Sequence, residues 1–529
     1  MKITQKHPSF VYLKQSTKLL FVSLLLTGNI SYAQTKTQVI DNIVKEASEN
    51  SQLENLAHEL MDVVGPRLVG SPQMKQANDW AVAKYASWGI TAKNEKWGEW
   101  RGWERGISHI DMVYPRVKSL EGMQLAWSPG TKGKSVIGEV IIFPDLADST
   151  AFIQWLPNAK GKFVMISMNQ PTGRPDYNWQ EFANPESFEK MKNSRTEQTN
   201  AWRSRMSKTG MKPKAIALAL ENAGALGIVT SNWSAGFGVN KIFGANTTKI
   251  PSVDISLEDY GLLYRLQETG NKPKISVHTE SKELGLVPTF NTIAEIKGTE
   301  KPDEYVILSA HFDSWDGGTG ATDNGTGTIT MMEAARILKK MYPNPKRTIL
   351  IGHWGSEEQG LNGSRAFVED HPEIVKNIQV VFNQDNGTGR VVNLSGQGFL
   401  NSYDYLGRWL AKVPENIRKQ ITTNFPGAPG GGGSDFASFV AAGAPAFSLS
   451  SNSWSYGNYT WHTNRDTYDK IVFDDVRNNA TLTAILAYMA SEDTDRTSAT
   501  KIVLPSNPKT EEPGKWPPVV KPTRKGGVN

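Results

Sequence analysis

The 529-residue chain contains no cysteine. That excludes a disulfide framework, a thiol nucleophile, a lipid-anchored cysteine and any thiolate metal site. Histidine is scarce, eight in all, so a metal centre here must draw mostly on carboxylates. Long apolar runs are also missing. The N-terminal run Leu19–Leu26 is far below the roughly 20 residues a membrane span needs. It follows Lys2, Lys6, Lys14 and Lys18 and precedes Ser31-Tyr32-Ala33. A basic start, a short greasy stretch and small residues at the end predict a secretory signal over 1–33, cut before Gln34. Export without disulfides suits a periplasmic or secreted protein, with no stable membrane insertion once the signal is gone.

Excess positive charge is absent from the body of the chain. The net +5 sits in the two ends: the leader carries +4, the tail 496–529 carries +5, and 34–495 is about −4. A nucleic-acid partner is therefore not expected. The Pro- and Lys-rich tail reads as an extended, solvated arm.

Along the chain, 38–62 and 73–88 read as amphipathic helices joined by a turn-rich connector, Val63–Pro72. Trp80, Trp88, Trp97, Trp100 and Trp103 read first as packing aromatics, with a substrate-facing wall as the alternative. From 124 to 283, short β-like runs alternate with one helix, Lys214–Ala223, around a polar stretch at 171–213 of little periodicity. From 285, Tyr305–Ser309, Thr348–Gly352, Ile378–Phe382 and Ala446–Leu449 alternate with helical segments near 326–342, 362–369, 402–413 and 434–442. That alternation predicts an α/β sandwich with a mostly parallel sheet, whose ligands bind beyond the carboxyl ends of the strands.

Those strand ends are where the chemistry-bearing residues fall: His311-Phe312-Asp313, Gly320-Ala321-Thr322-Asp323-Asn324-Gly325, Glu357-Glu358-Gln359-Gly360, Asp385 and, in a late loop, His462. Singly each has a plain reading, Asp323 as a helix cap, Glu357-Glu358 as a solvated acidic pair, His462 as a loop histidine. Together they gather two imidazoles and several carboxylates at one sheet edge. Such a cluster repels itself unless cations neutralise it, and imidazole with carboxylate suits zinc in an open catalytic site. One carboxylate can bridge two ions, with water as nucleophile. Of Glu357 and Glu358, one can ligate while the other serves as base. Asp313, two residues after His311, is placed to support it as an outer-shell carboxylate.

This pattern resembles the co-catalytic dizinc exopeptidases of the M-28 metallopeptidase family, which includes bacterial leucyl aminopeptidases and carboxypeptidase Q. The resemblance is strong over 285–495 and weak over 40–123. It implies a three-layer α/β sandwich and two Zn2+ per subunit. His311, Asp323 and Asp385 would hold one ion; Asp323 (bridging), Glu358 and His462 the other. Glu357 would be the general base and Asp313 would orient His311. The segment 124–283 looks like the small, β-rich protease-associated domain inserted in some members. The chain thus divides into a signal (1–33), an N-terminal part of the peptidase domain (34–123), the insert (124–283), the catalytic domain (284–495) and the tail (496–529).

The implied activity is hydrolysis of peptides near a free terminus, by an aminopeptidase before a carboxypeptidase Q-like dipeptidase or carboxypeptidase. Gly430–Gly433 before Ser434-Asp435 favours the carboxypeptidase Q branch and leaves the oxyanion-side donor unidentified; the glycines read equally as a flexible turn, and Ser434-Asp435 as a helix N-cap. A glutaminyl cyclase and a non-catalytic receptor-like module are the more distant alternatives. Oligomeric state is not legible.

Overall fold

The computed structural model describes Met1, residues 35–506 and residues 511–527; the expected signal segment lies outside them. The architecture is mixed α/β around a large, mostly parallel sheet. At its centre the strands Lys301–His311, Arg347–Trp354 and Ile378–Asn383 run parallel, and Ala446–Ser451 continues the order beyond the last of them. Their near-continuous apolar runs follow from burial on both faces. Every residue of Arg347–Trp354 is buried.

Adjacent residues of a strand point to opposite faces, and here they locate two helix layers. His353 stacks on Tyr85 of the helix Pro72–Ser87. Trp354, on the other face, packs on Phe367 and Phe439 of the helices Asn362–Asp370 and Phe436–Ala441. The helices expected near 326–342, 362–369, 402–413 and 434–442 are all present, as Thr326–Met341, Asn362–Asp370, Ser402–Leu410 and Phe436–Ala441.

Two long antiparallel strands, Thr91–Tyr114 and Lys274–Ile296, form a ribbon from Thr91↔Glu295 to Tyr114↔Lys274, with four register shifts. One end of Lys274–Ile296 pairs with Arg347–Trp354 and the other with Val136–Ile142. The ribbon therefore carries the sheet from the catalytic part into the segment at 124–283. There, Val136–Ile142, Lys162–Met165, Gly227–Thr230 and Ser252–Ile255 pair in parallel over two apolar clusters of their own. One cluster also takes in Ile110, Met112 and Leu120, so this packing unit reaches N-terminal of residue 124. Five α-helices and a 3-10 helix accompany its strands. Two of them, Asp176–Phe182 and Pro185–Ser207, occupy the polar stretch of little periodicity; the longer buries only Met191.

Trp97, Trp100 and Trp103 are buried, which settles them as packing residues. The tail departs from the expected solvated arm. Lys525–Gly526 pairs in parallel with Glu99–Trp100, Arg524 bridges Glu369 and Asp370 at 2.7 Å each, and Trp516 packs on Phe399. It is extended, yet docked on the catalytic part.

Candidate metal centre

The parallel strands deliver their carboxyl ends to one place. His311 ends Lys301–His311, Glu357 and Glu358 follow Arg347–Trp354, and Asp385 follows Ile378–Asn383. Asp323 lies in the turn before the helix Thr326–Met341, and His462 reaches in from the loop after Tyr456–Tyr459 with a left-handed backbone (φ 59°).

All five expected ligands meet there, in two groups sharing one carboxylate: His311, Asp323 and Asp385, and Asp323, Glu358 and His462. The two oxygens of Asp323 divide between them. Its Oδ1 is 3.4 Å from His311 Nε2, and its Oδ2 is 3.3 Å from His462 Nε2. His311 Nε2 also lies 3.3 Å from Asp385 Oδ1, and His462 Nε2 2.8 Å from Glu358 Oε2. These atoms are withdrawn from water, yet His311 Nε2, Asp323 Oδ2 and Glu358 Oε1 have no hydrogen-bond partner. Buried polar atoms are normally satisfied; orphans converging from imidazoles and carboxylates fit divalent cations with nitrogen and oxygen ligands.

Electrostatics make the same demand. Asp313, Asp323, Asp385, Asp435 and Asp466 are all buried. Burial and the neighbouring carboxylates push Glu357 and Glu358 well above the usual carboxylate range. Burial also raises Asp435 to about 7, and burial with the charge of Asp323 raises Asp466 to about 7. Burial disfavours a charged His311, but Asp385, Asp313 and Asp323 hold it well above its ordinary value. Burial lowers His462. Beneath the cluster lies Arg67, fully buried, pushed down to about 10 by burial and under the influence of the charges of Asp466, Asp313, Asp323 and Glu358.

Asp313 does more than expected. His311 Nδ1 lies 3.0 Å from the Asp313 carbonyl and 3.6 Å from its carboxylate. The carboxylate instead accepts the backbone N–H groups of Glu357 at 3.0 Å and Glu358 at 3.2 Å. It thereby ties the strand end bearing His311 to the loop bearing both glutamates.

Asp466, Arg67 and Tyr456 were not foreseen at the site. Asp466 accepts the backbone N–H groups of Thr322 and Asp323. Arg67, within the stretch read only as a connector, donates to the carbonyls of Phe312, Thr319 and Gly320 at 2.7–2.8 Å, and to Gly65 at 3.2 Å. Gly320 is left-handed (φ 60°), and a side chain there would collide with Ser314 and crowd Arg67. The Tyr456 hydroxyl faces the Asp323 carboxylate. Asp435 begins its helix without a capping hydrogen bond; its carboxylate turns toward the acidic cluster instead. Gly431–Gly433 is exposed.

Around His462 stand Phe243, Trp315 and Trp461, with ring centroids 5.4, 6.1 and 4.0 Å away. Beside the site, a cavity of about 860 Å3 lies between the inserted unit (Tyr177, Phe237, Val239) and the catalytic part (Thr322, Tyr456, Tyr459).

Comparison with known proteins gives a consistent answer. Residues 291–487 match the model of peptidase family M28. The chain is 26% identical over 464 residues to carboxypeptidase Q of Mus musculus, covering 87% of this chain and 90% of that one. It is 26% identical over 458 residues to carboxypeptidase Q of Homo sapiens, covering 86% and 88%. Among solved structures it is similar to a peptidase M28 precursor from Shewanella amazonensis, at 25% identity, 87% and 98% coverage and a TM-score of 0.63. It shares its fold with BSAP, a zinc aminopeptidase from Bacillus subtilis, at 19% identity, 87% and 97% coverage and a TM-score of 0.54.

Proposed function

The chain belongs to peptidase family M28, and on that premise we propose that it is a zinc-dependent exopeptidase with two metal ions and Glu357 as general base. The observation that carries this reading is the division of the Asp323 carboxylate between two groups of ligand atoms. His311, Asp323 and Asp385 would hold one ion, and Asp323, Glu358 and His462 the other. The names of its relatives, carboxypeptidase Q and a zinc aminopeptidase, support zinc and action at a peptide terminus.

When bound, the ions supply Lewis acidity, polarising the scissile carbonyl and acidifying water. The protein's own groups do the rest. Glu357, raised by burial and its acidic neighbours, takes the proton of the attacking water at its carboxylate and returns it to the departing amine. Asp313 fixes the backbone of Glu357 and Glu358, so base and ligand keep their relative positions. The Tyr456 hydroxyl beside Asp323 is placed to donate to the carbonyl oxygen as it gains charge. The cavity between inserted unit and catalytic part receives the peptide.

We read the inserted unit as a protease-associated-type domain that walls the cleft, and 1–33 as a secretory signal. Among the described residues no helix is long and apolar enough to cross a membrane. The test is hydrolysis of a tripeptide of three different residues, followed by mass spectrometry, with metal content measured on the same sample. Chelator-sensitive release of one terminal residue and about two zinc ions per chain are expected. Turnover unaffected by chelation, or no turnover with zinc bound, overturns the reading.

A further inference from the structure

The two imidazoles of the site are held in different ways. His311 Nδ1 rests against the Asp313 carbonyl at 3.0 Å, the kind of outer contact that a metal-bound histidine normally has. His462 Nδ1 is withdrawn from water and, among the described residues, has no hydrogen-bond partner. Its backbone is also left-handed (φ 59°), a conformation that a residue with a side chain keeps only where its surroundings enforce it. Ring and backbone of this ligand both need an external hold.

The inserted unit supplies it. The Ile242 N–H donates to the His462 carbonyl and the Asn464 N–H to the Asn240 carbonyl, each at 2.9 Å. The Asn240 N–H donates to Asn464 Oδ1 at 2.9 Å, across 224 positions of the chain, and between these bonds Lys241 and Thr463 form an antiparallel bridge. Ile242 is buried and sits so close on Gly317 that a Cβ there would come within 2.6 Å of it. The segment is thus wedged between the loop bearing His462 and the loop joining His311 to Asp323. Next in the chain, the Phe243 ring stands at 89° to the imidazole with centroids 5.4 Å apart, and at 85° to Trp315 at 5.3 Å. Where His311 has a hydrogen bond, His462 has this ring.

Asn240 ties the segment to the insert's own sheet. Its Nδ2 donates to Asp254 Oδ1 at 2.5 Å and to the Ile255 carbonyl at 2.8 Å, both in the strand Ser252–Ile255. Asp254 is buried and also accepts the Thr230 hydroxyl at 2.8 Å and the Asn232 N–H at 3.0 Å. Displacing Asn240 therefore takes a donor from a buried carboxylate, which is costly. The other four ligands follow the central strands or precede the helix Thr326–Met341.

We propose that Asn240 and Phe243 are positioning residues of the metal centre. Acting through His462, they set the affinity of the ion held by Asp323, Glu358 and His462, with little effect on the ion held by His311, Asp323 and Asp385. The insert is then a working part of one metal site, and loosening it weakens that site alone. This rests on the two-metal reading above.

The experiment titrates zinc into the metal-free full-length protein in competition with a chromogenic chelator and resolves the two stepwise constants. Wild type, Phe243→Ala, Phe243→Tyr and Asn240→Ala are compared, with urea midpoints measured alongside. Phe243→Ala and Asn240→Ala should keep one ion within about twofold of wild type and bind the other about 10–100-fold more weakly; Phe243→Tyr should recover most of the loss. In the His462→Ala background, Phe243→Ala should change the remaining constant by less than about twofold. Lowered urea midpoints with both constants unchanged reveal a purely structural role and overturn the assignment. So does an equal fall in both constants, or a further fall in the His462→Ala background. Phe243 is only half-buried, so its variants decide the matter should Asn240→Ala fail to fold. In each of these cases a wild type that binds two ions leaves the metallopeptidase reading standing; a wild type that binds fewer overturns both.

Discussion

Asp466 holds Asp323 by its backbone, accepting the Asp323 N–H at 3.0 Å with one carboxylate oxygen and the Thr322 N–H at 2.8 Å with the other. Asp323 is the residue the two ligand groups share, so its orientation is set from a loop 143 residues later in the chain. Asp466→Asn keeps the shape and loses one acceptor. We expect metal affinity to fall by about 10–100-fold, the usual effect of removing an outer-shell partner, as read by competition with a chromogenic chelator.

Glu357 belongs to neither ligand group. Glu357→Gln should therefore retain metal at the wild-type level while kcat falls by at least about a thousandfold. Metal analysis together with steady-state kinetics checks this; near-wild-type turnover removes Glu357 from the mechanism.

Among the described residues Arg67 has no carboxylate within ion-pair distance, and its guanidinium is spent on backbone carbonyls that shape residues 312–320. Arg67→Met strands those carbonyls and removes the positive charge beneath the acidic cluster. A loss of about 3 kcal/mol in stability follows from uncovering several charge-assisted hydrogen bonds. Urea denaturation should show it, with weakened metal retention in the folded protein.

His353 gives the fold an acid-side dependence away from the ligands. It is fully buried and burial pushes it down to about 3, while its Nε2 lies 2.7 Å from the Tyr85 hydroxyl. The unfolded chain takes up this proton near the ordinary histidine value of about 6.5, the folded one only near 3. Its stabilising contribution is thus fully present above about pH 6.5 and is lost as pH falls toward 3, at up to about 1.4 kcal/mol per pH unit. Replacement by Gln should flatten that part of the curve of Tm against pH.

The sequence exposed what is local and periodic. Runs such as Tyr305–Ser309 and Thr348–Gly352 announce strands buried on both faces, and a candidate metal ligand beyond the end of each announces the site. Arg67 and Asp466 were invisible because each acts through backbone contacts across more than 100 residues, which no local pattern records. The helix Pro185–Ser207 escaped for the opposite reason: with only Met191 buried, it has no apolar stripe to betray its period. The tail's composition described its extended form correctly but not its docking, which rests on Trp516, Arg524 and two paired residues.

That docking links segments far apart in the sequence. The pairing of Gly526 with Trp100 joins two residues more than 400 positions apart in the chain. Contacts of such separation are costly to close and form late. During synthesis the strand Thr91–Tyr114 waits with its Glu99–Trp100 segment uncovered, and unpaired strand edges invite association with other chains. Without Lys525 and Gly526 that exposure would be permanent, so the pairing acts as a seal over the strand edge at Glu99–Trp100.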